Sequence, residues 1–318
     1  MAENRQKVFG VFLATISVFI WGITFVNTKY LLRDFSSLEI LFFRFLMAYA
    51  GLWILHPRAE KIQAGDNIFF ALAGLSGVVL YQLSENIAIH FTSASNVSVL
   101  VSICPLFTAI VSQIFLKEKH VSLFFVIGFC AAIFGVALVC FNGSSLSFNP
   151  RGDFLALFAA ICWGFYSMFV SILNKRNYNK ICVTRRVFFF AVVIMLPIVF
   201  FGWKISFQGG SETSRAAGDF FQSLYFCLDP KVNAARFSKI LNWGNLIFLG
   251  VFASGLCFTT WSKACQIFGT VKVTCALYLI PIVTAAFAFF ALGEKVTLLS
   301  GAGTAITIVG LFLSEKRG

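Results

Sequence analysis

The chain reads IWGITF at residues 20–25 and CWGFYS at residues 162–167, so a Trp-Gly step returns 142 positions later. Arg44 returns as Arg186 at the same spacing. Marks that recur in the same order at a fixed spacing indicate an internal duplication. We therefore predict that the chain consists of two related halves.

A second set of matches has a longer spacing. Pro105 returns as Pro281, and Glu118 returns as Glu294, each 176 positions later. The spacing changes between the seventh and eighth apolar stretches, where residues 204–240 replace a short linker of the first half. We predict that this segment is an insertion, either a tolerated surface loop or a loop with a surface-lying helix.

The composition places the chain in a membrane. Of its 318 residues 59% are hydrophobic and only 12% are charged, which is too little polar surface for a water-soluble domain of this size. A membrane-spanning helix needs about 20 apolar residues. The sequence offers ten such stretches, near residues 8–30, 37–55, 67–90, 94–115, 121–140, 153–173, 182–203, 243–266, 271–292 and 297–314. We predict an all-α integral membrane protein.

The ten predicted spans divide into a first repeat at residues 8–140 and a second at residues 153–314. Five spans is an odd number, so the two repeats must cross the membrane in opposite orientations. We predict that the chain lies in the cell (inner) membrane with both termini in the cytoplasm. In this orientation the short outer loops carry few cations, namely Lys29, Arg33, Arg151 and Lys295. The net charge of +12 is thereby explained as an orientation signal and not as a nucleic-acid surface.

These marks together resemble the EamA type of the drug/metabolite transporter (DMT) superfamily. They are the two Trp-Gly steps, Arg44, the run from Tyr81 through Ala88, and the repeated Pro and Glu residues. The resemblance covers the whole chain apart from the insertion. It implies ten helices in two five-helix halves and transport of small organic solutes through a central cavity, often as export. It names no substrate.

Two ionisable residues lie inside predicted spans, where charge is costly and is a sign of function. Glu85 is about 8 Å and Arg44 about 10 Å from the outer surface, at 1.5 Å per residue, and this similar depth allows an ion pair. Gln82, Glu85 and Asn86 share a helical face by their spacing, so they must face a cavity or a partner helix. A hydrogen-bond network that only fixes helix packing is the alternative.

The repeat separates residues that build the helix bundle from residues that determine substrate specificity, because residues needed to build each half should occur in both. Glu85 matches Trp261, Gln82 matches Phe258 and Ser102 matches Tyr278, so these positions break the symmetry. We expect Glu85 to couple protons or to bind a cationic group of the solute. The predicted substrate-binding residues are Tyr81, Gln82, Glu85, Asn86, Ser102, Trp261 and Tyr278.

Pro105 and Pro281 lie near the middle of predicted spans four and nine. Proline removes a backbone hydrogen bond and frees a carbonyl, so these positions are candidates for a hinge or for a ligand contact. A kink with a purely structural role is the alternative.

No enzyme signature is present. The sequence offers no nucleophile with a base, no paired-acid site, no Cys or His pattern for a metal and no ATP-binding lysine loop, so we expect no catalysis, metal or cofactor. We predict a secondary transporter for a small metabolite, such as an amino acid or nucleoside, that exports it by alternating access in exchange for protons. A passive exchanger or uniporter and a membrane interaction protein without transport are the alternatives. The sequence does not indicate an oligomeric state.

Overall fold

The computed structural model describes residues 2–118, 121–140, 149–208, 223–227, 229–292 and 298–315, and all regular elements in these ranges are helical. Glu294, Lys295 and residues 209–222 of the predicted insertion lie outside the described residues. The helices are α1 (Ala2–Leu31), α2 (Ser37–Leu55), α3 (Ala64–Phe91), α4 (Ala94–Phe115), α5 (Leu123–Cys140), α6 (Pro150–Asn174), α7 (Lys180–Gln208), α8 (Pro230–Phe237), α9 (Ile240–Phe268), α10 (Thr270–Ala291) and α11 (Leu298–Glu315).

Eight of the described helices are long and apolar enough to cross a membrane. They are α1, α2, α3, α4, α6, α7, α9 and α10. The other two predicted spans coincide with shorter apolar helices, Leu123–Gly135 within α5 and Gly301–Ser314 within α11. The structure therefore has the helices of a multi-pass membrane protein, with α8 as a short addition before α9.

Local sequence defines where several helices begin. The Ser36 side chain accepts a hydrogen bond from the Glu39 backbone, and the Glu39 side chain accepts one from the Ser36 backbone, which is a complete capping box for α2. Asn149 caps α6, and Pro150 occupies its first turn, where a missing N–H costs nothing. These caps fix the short connections on which helix packing depends.

Each Trp-Gly step lies where one half of the chain meets the other. A Cβ atom added to Gly22 of α1 would lie 2.5 Å from the Val283 side chain of α10. A Cβ atom added to Gly164 of α6 would lie 3.0 Å from the Phe107 backbone of α4. More broadly, α1 packs on α9 and α10, whereas α6 packs on α3 and α4. Glycine is needed at both positions because the partner helix leaves no room for a side chain.

The α5–α11 pair also meets through glycine. Added Cβ atoms on Gly128 and Gly135 would lie 2.6 Å from the Gly310 carbonyl and 2.5 Å from the Gly303 carbonyl, respectively. Thr307 is completely buried in the same interface and bonds to the Gly303 carbonyl one turn earlier in α11. The two helices therefore touch backbone to backbone along their length.

The helices that surround the centre of the molecule are irregular at matching places. Residues Gly74–Leu80 of α3 and Phe248–Leu256 of α9 form π-helical turns. Residues Cys275–Leu279 of α10 form a 3₁₀ turn just before Pro281, and α4 is interrupted by a turn at residues 102–103 just before Pro105. Such turns leave backbone carbonyls available for other partners and are common at functional sites.

Polar contacts tie loops together at both ends of the bundle, which we call the 32–36 end and the 56–66 end after one loop of each. At the 32–36 end, Asp34 accepts hydrogen bonds from Lys239 (2.7 Å) and Asn242 (2.8 Å). At the 56–66 end, Asp66 accepts one from Tyr178 at 2.8 Å and lies 3.4 Å from Arg176. In the sequence repeat Asp34 matches Arg176, and Asn242 matches Asp66. The Asp34–Asn242 contact at one end is therefore equivalent to the Arg176–Asp66 contact at the other, although the polar groups differ.

Candidate functional site

A closed cavity lies at the centre of the helix bundle, between the Trp-Gly steps of the two halves. Its volume is about 20 Å³, which is room for about one water molecule. Both halves contribute to its wall. The lining residues are Trp21, Thr24, Phe25, Arg44, Tyr81, Gln82, Glu85, Ser98, Val101, Ser102, Trp163, Leu277 and Ile280.

Aromatic rings form one side of this cavity. The rings of Trp21 and Trp163, which are equivalent in the repeat, meet edge to face with centroids 5.5 Å apart. Tyr81 lies against Trp163 at 5.0 Å, and Trp261 packs behind Trp21 at 4.9 Å. Stacked rings of this kind offer a flat apolar surface to a solute and hold one another in place.

Arg44 is the cation of the cavity wall. It is 1% exposed, and its guanidinium donates from Nε to the Ser254 hydroxyl (2.6 Å) and from Nη1 to the Gln82 side-chain oxygen (2.7 Å). These two bonds connect α2 with α9 and α3. The predicted ion pair with Glu85 is not formed: within the described part of the chain, no Arg44 nitrogen lies within 4.0 Å of a carboxylate oxygen.

Glu85 is the acid of the cavity wall and is 3% exposed. It interacts with Tyr81 across one turn of α3, and its charge interacts with that of Arg44 in the wall of the same cavity. Among the residues that the structure describes, no Lys or Arg side chain forms an ion pair with it. A carboxyl group in this position is free to exchange a proton or to meet a cationic solute.

The structure brings together four of the seven predicted substrate-binding residues, namely Tyr81, Gln82, Glu85 and Ser102. The other three lie outside the cavity wall. The Asn86 side chain donates to the Ser37 backbone because its helical position turns it toward α2. Trp261 is one layer behind the wall, and Tyr278 is completely buried with no hydrogen-bond partner for its hydroxyl within the described ranges. Substrate contact by these three residues stays a prediction.

Ser254 was not among the predicted site residues, although it positions Arg44. It lies in the π-helical turn of α9, where the first half has Val78. A buried hydroxyl that replaces an apolar side chain in the repeat is the same kind of asymmetry that selected Glu85. The signal was therefore present in the sequence.

Pro105 and Pro281 each lie in the first turn of the helical segment that follows an interruption of α4 or α10. Ser102 and Leu277, in those interruptions, line the cavity. The prolines thus flank the cavity without entering its wall. Elsewhere, among the described residues, no group of three His, Cys, Asp or Glu side chains is arranged to hold a metal ion.

A closed cavity between two sets of apolar helices, with one buried acid and one buried cation, is the arrangement of a membrane carrier. The model of the EamA-like transporter family matches residues 8–141 and 220–315. The chain belongs to this family. It is accordingly a multi-pass membrane transporter and not an enzyme.

Named relatives agree with this assignment. An uncharacterized transporter of Archaeoglobus fulgidus is 24% identical over 96% of this chain and 96% of its own length. A protein of Streptantibioticus cattleyicolor described as a "Probable terminal-alkyne amino-acid exporter" is 24% identical over 89% of this chain and 82% of its own. An uncharacterized transporter of Bacillus subtilis, YyaM, is 23% identical over 96% and 92%.

The fold is also found among solved structures. One crystal structure superposes with a TM-score of 0.66 at 12% identity and covers 96% of this chain and 95% of its own. At that identity the likeness concerns the fold alone.

Proposed function

We propose that this EamA-like transporter is a proton-coupled exporter of a small organic metabolite across the cell membrane. In this proposal ten spans form two inverted five-helix repeats, at residues 8–140 and 153–314, with both termini in the cytoplasm. The 32–36 end of the bundle then faces outward. Alternating access brings the central cavity to each side in turn.

The packing supports a two-fold relation between the halves, which an odd number of spans per half turns into an inverted repeat. If the halves are related by a two-fold axis in the membrane plane, each contact must have a partner with the halves exchanged. The contact of Gly22 with Val283 has such a partner in the contact of Gly164 with Phe107. The Gly128–Gly310 and Gly135–Gly303 contacts exchange with each other in the same way.

The cavity and its flanking turns support alternating access. The cavity wall combines residues of α1 and α10, which pack together, with residues of α2, α3, α4 and α6, and α6 packs on both α3 and α4. Relative rotation of these groups would open the cavity at one end and close it at the other. Pro105 and Pro281 are the hinge positions of this proposal. Each lies in the first turn of a helical segment, directly after the point where α4 or α10 is interrupted.

The observation that carries proton coupling is the placement of Glu85: it is buried in the cavity and makes no ion pair with Arg44. In the ionised state this carboxylate attracts a cationic group of the solute. Protonation from the outer side removes that attraction and releases the solute outward. Proton and solute therefore compete for one carboxyl group, which is the requirement for exchange.

Transport by reconstituted protein tests this coupling. Liposomes loaded with radiolabelled amino acids or nucleosides are diluted into buffers with and without an imposed pH gradient. We expect the native protein to transport faster with the gradient, and Glu85→Gln to lose that stimulation by about tenfold or more, which corresponds to about 1.4 kcal/mol.

Glu118→Gln is the matched control, because Glu118 is a half-exposed glutamate near the membrane surface, paired with Lys175 outside the cavity. It should keep the gradient response. If the native protein transports equally with and without the gradient, it is a passive exchanger. If Glu85→Gln transports with an unchanged gradient response, Glu85 has no coupling role.

A further inference from the structure

The Arg44 guanidinium has one nitrogen left over. Its Nε and Nη1 atoms are committed to Ser254 and Gln82, whereas Nη2 is buried and has no hydrogen-bond partner within the described part of the protein. Leaving a donor of a buried charged group unpaired costs more than an ordinary hydrogen bond contributes. The two occupied nitrogens hold the guanidinium in place, and the third is available for a ligand.

Trp163 supplies a second unpaired donor in the same wall. Its Nε1 atom is buried without a partner among the described residues, whereas the equivalent Trp21 donates to the Ala253 carbonyl at 2.8 Å. In the repeat, Gly77 of the first half is the position equivalent to Ala253, but Trp163 makes no corresponding bond within the described residues. An indole nitrogen can only donate.

Of the described cavity-lining residues, Arg44 and Trp163 alone have a buried polar side-chain atom without a partner, and both atoms are N–H donors. The missing group must therefore be an acceptor. The present volume of about 20 Å³ has room for a water molecule, which can accept two bonds but brings no negative charge to Arg44. A carboxylate accepts the same bonds and carries the opposite charge.

The charges in the cavity wall indicate which kind of carboxylate or other anion fits the site. Arg44 and Glu85 are the two ionisable residues of opposite charge in the wall. A zwitterion adds no net charge and pairs with both, its carboxylate with Arg44 and its ammonium with Glu85. A phosphate dianion would bring excess negative charge near Glu85, which is unfavourable in a buried site.

We infer that Arg44 Nη2, with Trp163 Nε1, binds the carboxylate of the transported solute. This inference rests on the proposed function and narrows its substrate class: amino acids fit, whereas nucleosides lack the required group. Because the cavity has a volume of only about 20 Å³, the solute enters only when one end opens.

Ligand binding to the purified full chain tests the inference. The twenty proteinogenic L-amino acids are screened by thermal shift, since a bound ligand raises the melting temperature. The amino acid with the largest shift is then compared with its carboxamide, its decarboxylated amine and its deaminated acid. We expect native protein to bind the amino acid at least about tenfold more tightly than the carboxamide and the amine.

Variants of Arg44 test whether this residue causes the preference for a carboxylate. Arg44→Gln should lose the discrimination between amino acid and carboxamide, and Arg44→Lys should keep part of it. Arg186→Gln, the equivalent position outside the cavity, should keep all of it. If Arg44→Gln does not fold, the inference is tested by the ligand series on native protein and by Ser254→Ala. Ser254→Ala keeps the charge of Arg44 but removes the hydrogen-bond partner of Nε, so it should weaken binding of the acid.

Equal binding of amino acid and carboxamide by native protein would overturn the inference, as would undiminished discrimination in Arg44→Gln or no shift with any amino acid. Binding of the deaminated acid as tightly as the amino acid would show that the solute needs only its carboxylate and would leave the role of Arg44 intact. Gradient-driven transport without carboxylate preference would remove this inference only. Carboxylate-selective binding without transport would remove the proposed function only.

Discussion

Two ion pairs join the neighbourhood of the 32–36 loop to the segment before α9, and they differ in their surroundings. Arg236 and Glu39 are 2.8 Å apart and their side chains are 5% and 2% exposed. Arg236 also lies over the Phe35 ring at 4.7 Å. Lys239 and Asp34 are 2.7 Å apart, but the lysine side chain is 52% exposed. The Lys239 hydrogen bond lowers the pKa of the Asp34 carboxyl below its usual value.

We predict that Arg236→Gln destabilises the protein far more than Lys239→Gln does. Removing one partner of a buried pair leaves the other charge uncompensated and costs about 3–5 kcal/mol. An exposed pair contributes about 1 kcal/mol or less. Thermal unfolding in detergent measures both, with Lys239→Gln as the control. Equal melting temperatures for the two variants would contradict this reading of Arg236.

Single residues also mark what the sequence could and could not predict. The repeat selected Glu85 because its equivalent is Trp261, and an acid present in only one half is harder to explain as scaffold; Glu85 does line the cavity. The same helical face included Asn86, which instead contacts α2. Spacing along a helix fixes the angle between side chains, but the rotation of the helix against its neighbours depends on packing that involves the whole chain.

At the scale of elements, the α5–α11 pair depends on the absence of side chains. These two helices are the shortest apolar helices of the set, and they meet along glycines. Apolar helices in lipid gain nothing from hydrophobic burial against each other, so close van der Waals contact must hold them together.

We therefore predict that Gly135→Val separates α5 from α11. The added side chain would meet the Gly303 carbonyl and Thr307 of α11, which are backbone and buried atoms that cannot move aside cheaply. Overpacking of this kind costs about 1–3 kcal/mol. Gly301→Ala on α11 is the control, because an added Cβ there has no neighbour within 4 Å. The melting temperature should fall for the first variant and stay constant for the second.

Helices were easier to predict from the sequence than their interruptions. Long apolar runs identified the spans, because lipid requires an internally hydrogen-bonded segment of that length. The π turns at Gly74–Leu80 and Phe248–Leu256 have no such signature. They arise where a helix adjusts to its neighbours, and Ser254 reaches Arg44 from one of them. The sequence predicts residues 204–240 to be a surface loop or a loop with a surface-lying helix. In the structure residues 204–208 continue α7, α8 lies at Pro230–Phe237, and Glu39 and Asp34 bind the segment through buried and exposed contacts.

At the scale of the whole molecule, polar contacts join helices at both ends of the bundle. At the 32–36 end, Lys29 of α1 donates to the carbonyls of Ile89 and Thr92 at the end of α3, at 2.6 and 2.8 Å. At the 56–66 end, Asn174 of α6 bonds to Ser262 of α9 at 3.3 Å. Charged hydrogen bonds are shorter and stronger than neutral ones. Opening the 32–36 end therefore requires breaking charged hydrogen bonds.

We predict that Lys29→Met shifts the protein toward opening at the 32–36 end. Without the ammonium group, the last carbonyls of α3 lose a partner, so amide hydrogens of residues 82–92 should exchange with solvent several-fold faster. Hydrogen exchange with mass spectrometry measures this directly. Arg33→Met is the control, since Arg33 lies over Tyr30 in the same region. An unchanged exchange rate in Lys29→Met would exclude a closing role for this lysine.

The exchange of helices between the halves also sets an order for biogenesis. α1 finds its packing partners in α9 and α10, and the chain must grow from residue 31 to residue 240 before the first of them begins. At about 5–20 residues per second this takes roughly 10 to 40 s. During that time the part of α1 around Gly22 lacks the helix against which it packs in the folded protein. A chain that ends after α5 would therefore leave the part of α1 around Gly22 exposed to lipid, because α9 and α10 are missing.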